Sequence, residues 1–120
     1  MVKVCQAVNT TNYDTINGDS CINYWNNNAP NDRQAILMCR ATSGNDSEDD
    51  PIVGGHVIGI NNHYPHVYIV PILRSVNTSG NPRIFSVEEE DLVQVPTNQE
   101  NAILADRENQ NLARILASMR

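Results

Sequence analysis

Apolar and polar positions divide the chain into segments with different periods. Residues 52–60 and 67–73 are dense in Val, Ile and Tyr, with a polar break, Asn61-Asn62-His63-Tyr64-Pro65, between them. β-Branched and aromatic side chains suit a pleated, half-buried surface, so these runs predict two strands joined by a turn at the centre of the fold. Residues 83–87 and 91–95 read as two shorter strands, divided by Glu88, Glu89 and Glu90, whose charges are expected to keep the connection in water. Residues 2–4 alternate weakly, which suits a short strand or a loosely held arm. Residues 34–39 are a short apolar run, and residues 42–50 are polar and turn-forming, an exposed loop.

Two segments carry helical signals. Residues 19–28 place capping residues before an apolar stripe that contains Trp25, and the segment stops before Ala29-Pro30. The only tryptophan of so small a chain is expected to anchor the core. Near the end, Pro96 precedes Thr97-Asn98-Gln99-Glu100, the spacing of a capping box. A single amphipathic helix is expected over about 98–119, with Leu104, Leu112, Ile115, Leu116 and Met119 on one face. Leu112, Ile115, Leu116 and Met119 either dock on the sheet or form an interaction face, and the latter implies a protein partner or self-association.

Length adds that residues 1–120 make a single domain, with its core in 19–96. The fold class expected is α+β: a small, mostly antiparallel sheet, a short helix in the N-terminal half and a C-terminal amphipathic helix. No stretch reaches the roughly 20 apolar residues that span a bilayer, and the start of the chain lacks the apolar run of a secretion signal, so the expectation is a cytoplasmic protein with no membrane partner. The formal net charge of -6 counts against nucleic acid, whose binding draws on neutralised phosphates. Three cysteines, Cys5, Cys21 and Cys39, are too few for a disulfide scaffold. The Asn-x-Ser/Thr triplets at Asn9, Asn45 and Asn77 are what an Asn-rich chain produces by chance.

One constellation stands out from this background. Cys21-x3-Trp25, Cys39, Gly54-Gly55-His56-Val57, Tyr68-Ile69-Val70-Pro71, Asn77, then Phe85-x-Val87 and Leu92-Val93 follow one another over about sixty per cent of the chain. In this order they resemble a family of small treble-clef, His-Asn-His-like zinc-cluster proteins. In those relatives a cysteine pair precedes Gly-Ala-His-Val, and a strand ending in proline leads into Cys-x2-Cys-Asn. Here the corresponding stretch is Leu73-Arg74-Ser75-Val76-Asn77, so aliphatics stand where the resemblance calls for sulfur. Leu and Val cannot hold zinc but can pack, which implies a metal staple converted into hydrophobic core.

Several chemistries follow from the residues that remain. A mixed zinc site could draw on Cys21, Cys39, His56, His63 and His66, although the spacing fits no standard template. The resemblance implies a metal-dependent phosphodiesterase with His56 as general base, Asn77 as its positioning partner and His63 or His66 on a divalent cation. A Cys39–His56 nucleophilic pair is also formally available. A third class is a small-ligand binder using the turn and strand residues 61–68. Against His56 as a catalyst stands the plainer expectation that two glycines turn the chain tightly there and its imidazole bonds a backbone group. The favoured expectation is a non-catalytic binding or self-assembly module on a degenerate zinc-cluster backbone, with no cofactor and no catalytic residue.

Overall fold

The computed structural model describes residues 2–29, 38–39, 44–45, 51–60, 65–77 and 84–118. Its frame is a five-stranded antiparallel sheet. In chain order the strands are β1 (Val2–Gln6), the hairpin β2 (Thr15–Ile16) and β3 (Asp19–Ser20), β4 (Met38–Cys39), β5 (Gly44–Asn45), β6 (Ile52–Gly59), β7 (Val67–Leu73), β8 (Ile84–Val87) and β9 (Val93–Gln94). The main sheet runs β8-β1-β6-β7-β9, while β2–β3 and β4–β5 form small separate pairs. The helices are α1 (Cys21–Asn28), α2 (Arg74–Asn77), α3 (Thr97–Ala105) and α4 (Arg107–Ser118). The α+β class and the central β6–β7 hairpin are as the hydrophobic pattern predicts.

Both faces of the sheet are apolar because the central strands carry apolar side chains at successive positions, which point alternately to the two faces. Cys5, Ile58, Val67, Ile69 and Val93 face one side and pack with Trp25 of α1 and Ile103 of α3. Val2, Val4, Val57, Tyr68, Val70, Ile72 and Val87 form a second cluster on the other side. Trp25 is fully buried, and its indole N–H donates to the Asp91 carbonyl at 2.8 Å, which satisfies the one polar atom this side chain carries into the core.

Local chemistry explains most boundaries. Ser20 caps α1 by accepting the Asn23 N–H at 3.3 Å. Asn17 and Gly18 both have positive φ, 54° and 87°, the backbone that a two-residue hairpin loop between β2 and β3 requires. Pro71 sits in β7 without breaking it. Gly59 N–H bonds the His66 carbonyl and Val95 N–H bonds the Val67 carbonyl, so odd-numbered residues of β7 point their backbone toward β9. β9 pairs with Tyr68 and Ile69, so Pro71, which has no N–H to give on that side, lies beyond the β9 ladder.

Four expectations need correction. Gly54 and Gly55 lie inside β6 and turn nothing. Gly54 makes room for α1, since a Cβ there would stand 2.6 Å from the Cys21 carbonyl carbon; on the opposite face, a Cβ on Gly55 would stand 2.3 Å from Ile72 Cδ1. The capping box at Thr97 does not form: Pro96 occupies the cap position with no side-chain bond. Glu100 instead turns into the protein to accept the Val67 N–H at 2.7 Å. The C-terminal helix is two helices, because Asp106 adopts extended backbone and its Oδ1 accepts the N–H groups of Glu108 and Asn109, starting α4 afresh. The link between β8 and β9 is not wholly in water either. It is a 3-10 turn, Glu89–Asp91, that joins strands at opposite edges of the sheet, and Asp91 is buried.

Candidate functional site

The histidine of the Gly-Gly-His-Val run is held by two elements. In β6 its side chain emerges opposite to that of Gly55, on the α1 and α3 side of the sheet, where it is buried. Gln99 of α3 donates from Nε2 to the Thr15 carbonyl at 3.2 Å, so its Oε1 faces His56 Nε2 at 3.1 Å and accepts the proton carried there. Burial lowers the His56 pKa below its ordinary value, against a smaller raising effect of the Gln99 bond. The imidazole is a neutral, tethered strut whose partner is a side chain, not the backbone group expected for it.

Asn77 occupies the other face. It closes α2, and its Oδ1 lies 3.1 Å from where a Cβ on Gly55 would project. His56 projects the opposite way, so the sheet itself separates the two residues that a His-Asn-His reading pairs. The α2 turn is fastened by the buried Gln6, whose Nε2 donates to the Val76 carbonyl at 2.9 Å. Arg74 N–H also bonds the Pro51 carbonyl at 2.9 Å, which closes the open end of the β6–β7 hairpin. Val76 is buried, and Leu73 packs partly buried against the second core cluster. The positions where the resemblance calls for thiolates are thus built as apolar packing.

The remaining candidates are dispersed. Cys21 is buried at the start of α1, its Sγ 3.3 Å from the Tyr13 carbonyl. Burial, with Asp14 adding to it, pushes the thiol up to about 11, away from the thiolate that ligation or nucleophilic attack needs. His66 lies at the start of β7 and pairs through Nδ1 with Glu100 Oε1 at 3.1 Å. Glu100 thereby serves two donors, His66 and the Val67 N–H, from a buried position on α3. His63 and the side chain of Cys39 lie outside the described residues, as do positions 61–64 of the 61–68 stretch expected to serve a small ligand; of that stretch Pro65 is exposed and Tyr68 is buried. Among the described residues, no group of three or more His, Cys, Asp or Glu side chains could hold a metal ion.

The C-terminal helix presents a different kind of site. Asn109 of α4 is fully buried and behaves as a piece of strand: Oδ1 accepts the Val8 N–H at 2.8 Å, and Nδ2 donates to the Val8 carbonyl at 2.9 Å and the Ile103 carbonyl at 3.0 Å. Asn9 adds a bond from Nδ2 to each Asp106 oxygen at 3.2 Å. The first turns of α4 are therefore fixed to the chain just beyond β1. Leu112 packs partly buried against the core, but Ile115, one turn on, is 58% exposed. Met119 and the side chain of Leu116 lie outside the described residues. No feature of sequence announces the Asn109 anchor, since an asparagine in a polar helix reads as surface.

No protein-family model, curated protein or solved structure matches the chain. No helix among the described residues is long and apolar enough to cross a membrane.

Proposed function

We propose that the chain is a non-catalytic assembly module that associates with further copies of itself through the exposed half of α4. The observation that carries this reading is the contrast within one helix. Asn109 and Leu112 tie its first half down, while Ile115 is left in water on the same apolar face. A helix docked only as a lid would bury that stripe to its end; one that continues past the body of the domain offers it to a partner.

Charge favours a copy of the same chain as that partner. The terminal segment carries Arg107, Arg114 and Arg120 against Glu108 alone, whereas the chain as a whole has a net charge of -6. A weakly basic apolar helix and an acidic body complement each other between copies. The zinc-cluster outline belongs to this reading as scaffold: the buried Val76 and the packed Leu73 support a backbone path kept by hydrophobic contact where relatives of the resembled type use metal.

The test is native mass spectrometry of the purified chain beside Ile115→Asp. Because Ile115 is exposed, the charge leaves the monomer fold intact, and the variant is expected to lose subunits relative to wild type. A folded Ile115→Asp chain with the wild-type mass refutes the role of α4.

A further inference from the structure

The two edges of the main sheet are built differently. β9 is two residues long, Pro96 follows it closely, and the Gln94 carbonyl takes the Tyr24 hydroxyl at 3.5 Å. These are the devices that stop an edge from recruiting another strand: brevity, proline and a covering side chain. β8 is twice as long and, among the described residues, no side chain bonds its outer edge; Pro82 stands two residues before it and outside the strand. Its four residues, Ile-Phe-Ser-Val, are uncharged, free of proline and strongly β-forming, and Ile84 is 48% exposed.

The direction of its free backbone groups follows from the ladder. Ile60 N–H bonds the Lys3 carbonyl and Ala7 N–H bonds the His56 carbonyl, so odd-numbered residues of β1 point toward β6 and even-numbered ones toward β8. Val4 lies opposite Phe85 and Val2 opposite Val87. Phe85 and Val87 therefore spend their N–H and C=O groups on β1, and by alternation Ile84 and Ser86 direct theirs outward along the sheet edge.

We propose that β8 is a self-pairing edge, on which the β8 strand of a second copy adds antiparallel about a two-fold axis through Phe85. An axis that pairs antiparallel neighbours stands normal to the sheet and keeps each face on its own side. A residue can then meet only one whose side chain emerges on the same face, as Phe85 does with the second copy's Phe85. In this register Ile84 and Ser86 of each copy exchange both backbone hydrogen bonds with Ser86 and Ile84 of the other, so every outward group of the strand is used. Phe85 meets its counterpart as a non-hydrogen-bonded pair, with Cα atoms about 4.5 Å apart. The flanking sequence is self-complementary in charge. Arg83 precedes β8 and Glu88, Glu89 and Glu90 follow it, so the antiparallel pairing carries each copy's arginine toward the other's acidic run. The two five-stranded sheets become one continuous sheet.

This surface is separate from α4, and it rests on the proposed function only in that the partner is a second copy. The β8 edge, together with a two-fold contact in which each copy's α4 lies on the other's body, carries assembly beyond a dimer. Native mass spectrometry of wild type is then expected to give a species heavier than a dimer, with Ser86→Pro and Ile84→Lys each giving a dimer and either combined with Ile115→Asp a monomer. Ser86→Pro removes an N–H that points away from β1, so no internal ladder bond is lost. Ile84→Lys leaves the backbone untouched and carries the test should the proline variant fold poorly. Register is tested by oxidising Phe85→Cys in a Cys39→Ser background, where the close pair falls within the roughly 4.4–6.8 Å Cα window of a disulfide; a covalent dimer is expected there and none from Ser86→Cys, which lies opposite Lys3 within its own chain. Folded Ser86→Pro and Ile84→Lys chains with the wild-type mass, or a Phe85→Cys chain that stays uncrosslinked, overturn the β8 pairing. Dissociation by Ser86→Pro but not by Ile115→Asp supports β8 and removes α4 from the assembly.

Discussion

Replacing Asn109 with alanine removes a side chain that joins α4 both to the segment just beyond β1 and to α3. Three hydrogen bonds go with it: from the Val8 N–H at 2.8 Å, and to the carbonyls of Val8 and Ile103 at 2.9 and 3.0 Å. A hydrogen bond contributes about 1 kcal/mol net, and a donor or acceptor stranded out of water costs about 1–3 kcal/mol. Val8 is only partly buried, so water replaces part of what it loses, and the expected destabilisation is about 3 kcal/mol. Asn109→Asp is expected to be worse. It keeps an acceptor for the Val8 N–H but turns its second oxygen onto two carbonyl oxygens, and a buried carboxylate without a donor adds a desolvation cost. Urea denaturation of wild type, Asn109→Ala and Asn109→Asp gives the differences directly. Amide exchange along α4 then shows whether the helix detaches before the sheet unfolds. A loss below about 0.5 kcal/mol for the alanine variant, or an aspartate variant no worse than alanine, would refute the anchor.

Three further outcomes follow from the same geometry. Gly54→Ala sets a methyl 2.6 Å from the Cys21 carbonyl carbon, backbone that cannot rotate away, so α1 must lift from β6; a loss of about 1–3 kcal/mol is expected in urea denaturation, and a neutral result contradicts the close approach. Val76→Ala hollows the buried position of α2 and is expected to cost about 1–3 kcal/mol, more than Leu73→Ala at its partly exposed site, with the reverse order refuting the packing described. His56 has a folded pKa held below its ordinary 6.5, so protonation favours the unfolded chain: the stability tied to its neutral form is complete above about pH 6.5 and is lost as pH falls from there through the folded value. Comparing the pH dependence of stability in wild type and His56→Gln isolates this loss, and identical slopes below pH 6.5 would show that the imidazole is not held neutral.

The β6–β7 hairpin, α1 and the burial of Trp25 were legible because each is written in a local pattern: dense β-branched residues, a serine at a helix start, one large aromatic. The Asn17-Gly18 loop carried an equally local signal, the dipeptide that favours positive φ at both positions, and went unread. What the pattern misassigned lies where a side chain serves a distant partner. Glu100 has the spacing of a cap residue, but its carboxylate is taken by the Val67 N–H and His66, which are 33 and 34 residues away. Asp106 interrupts a continuous helical periodicity because it caps α4 and receives Asn9, a contact 97 residues removed. His56 and Asn77 stand in the order the resembled motif asks for, yet strand alternation, which spacing between motifs does not encode, sends them to opposite faces. The edge position of β8 is likewise a property of strand order, since β8 and β9 follow each other in sequence and end on opposite sides of the sheet.

Assembly without a catalytic centre is the central claim, and the subunit count across a dilution series tests it most directly. Native mass spectrometry of the wild-type chain is expected to show an oligomer that sheds subunits on dilution and on introduction of Ile115→Asp. A folded wild-type chain that remains a monomer at every concentration would contradict the account.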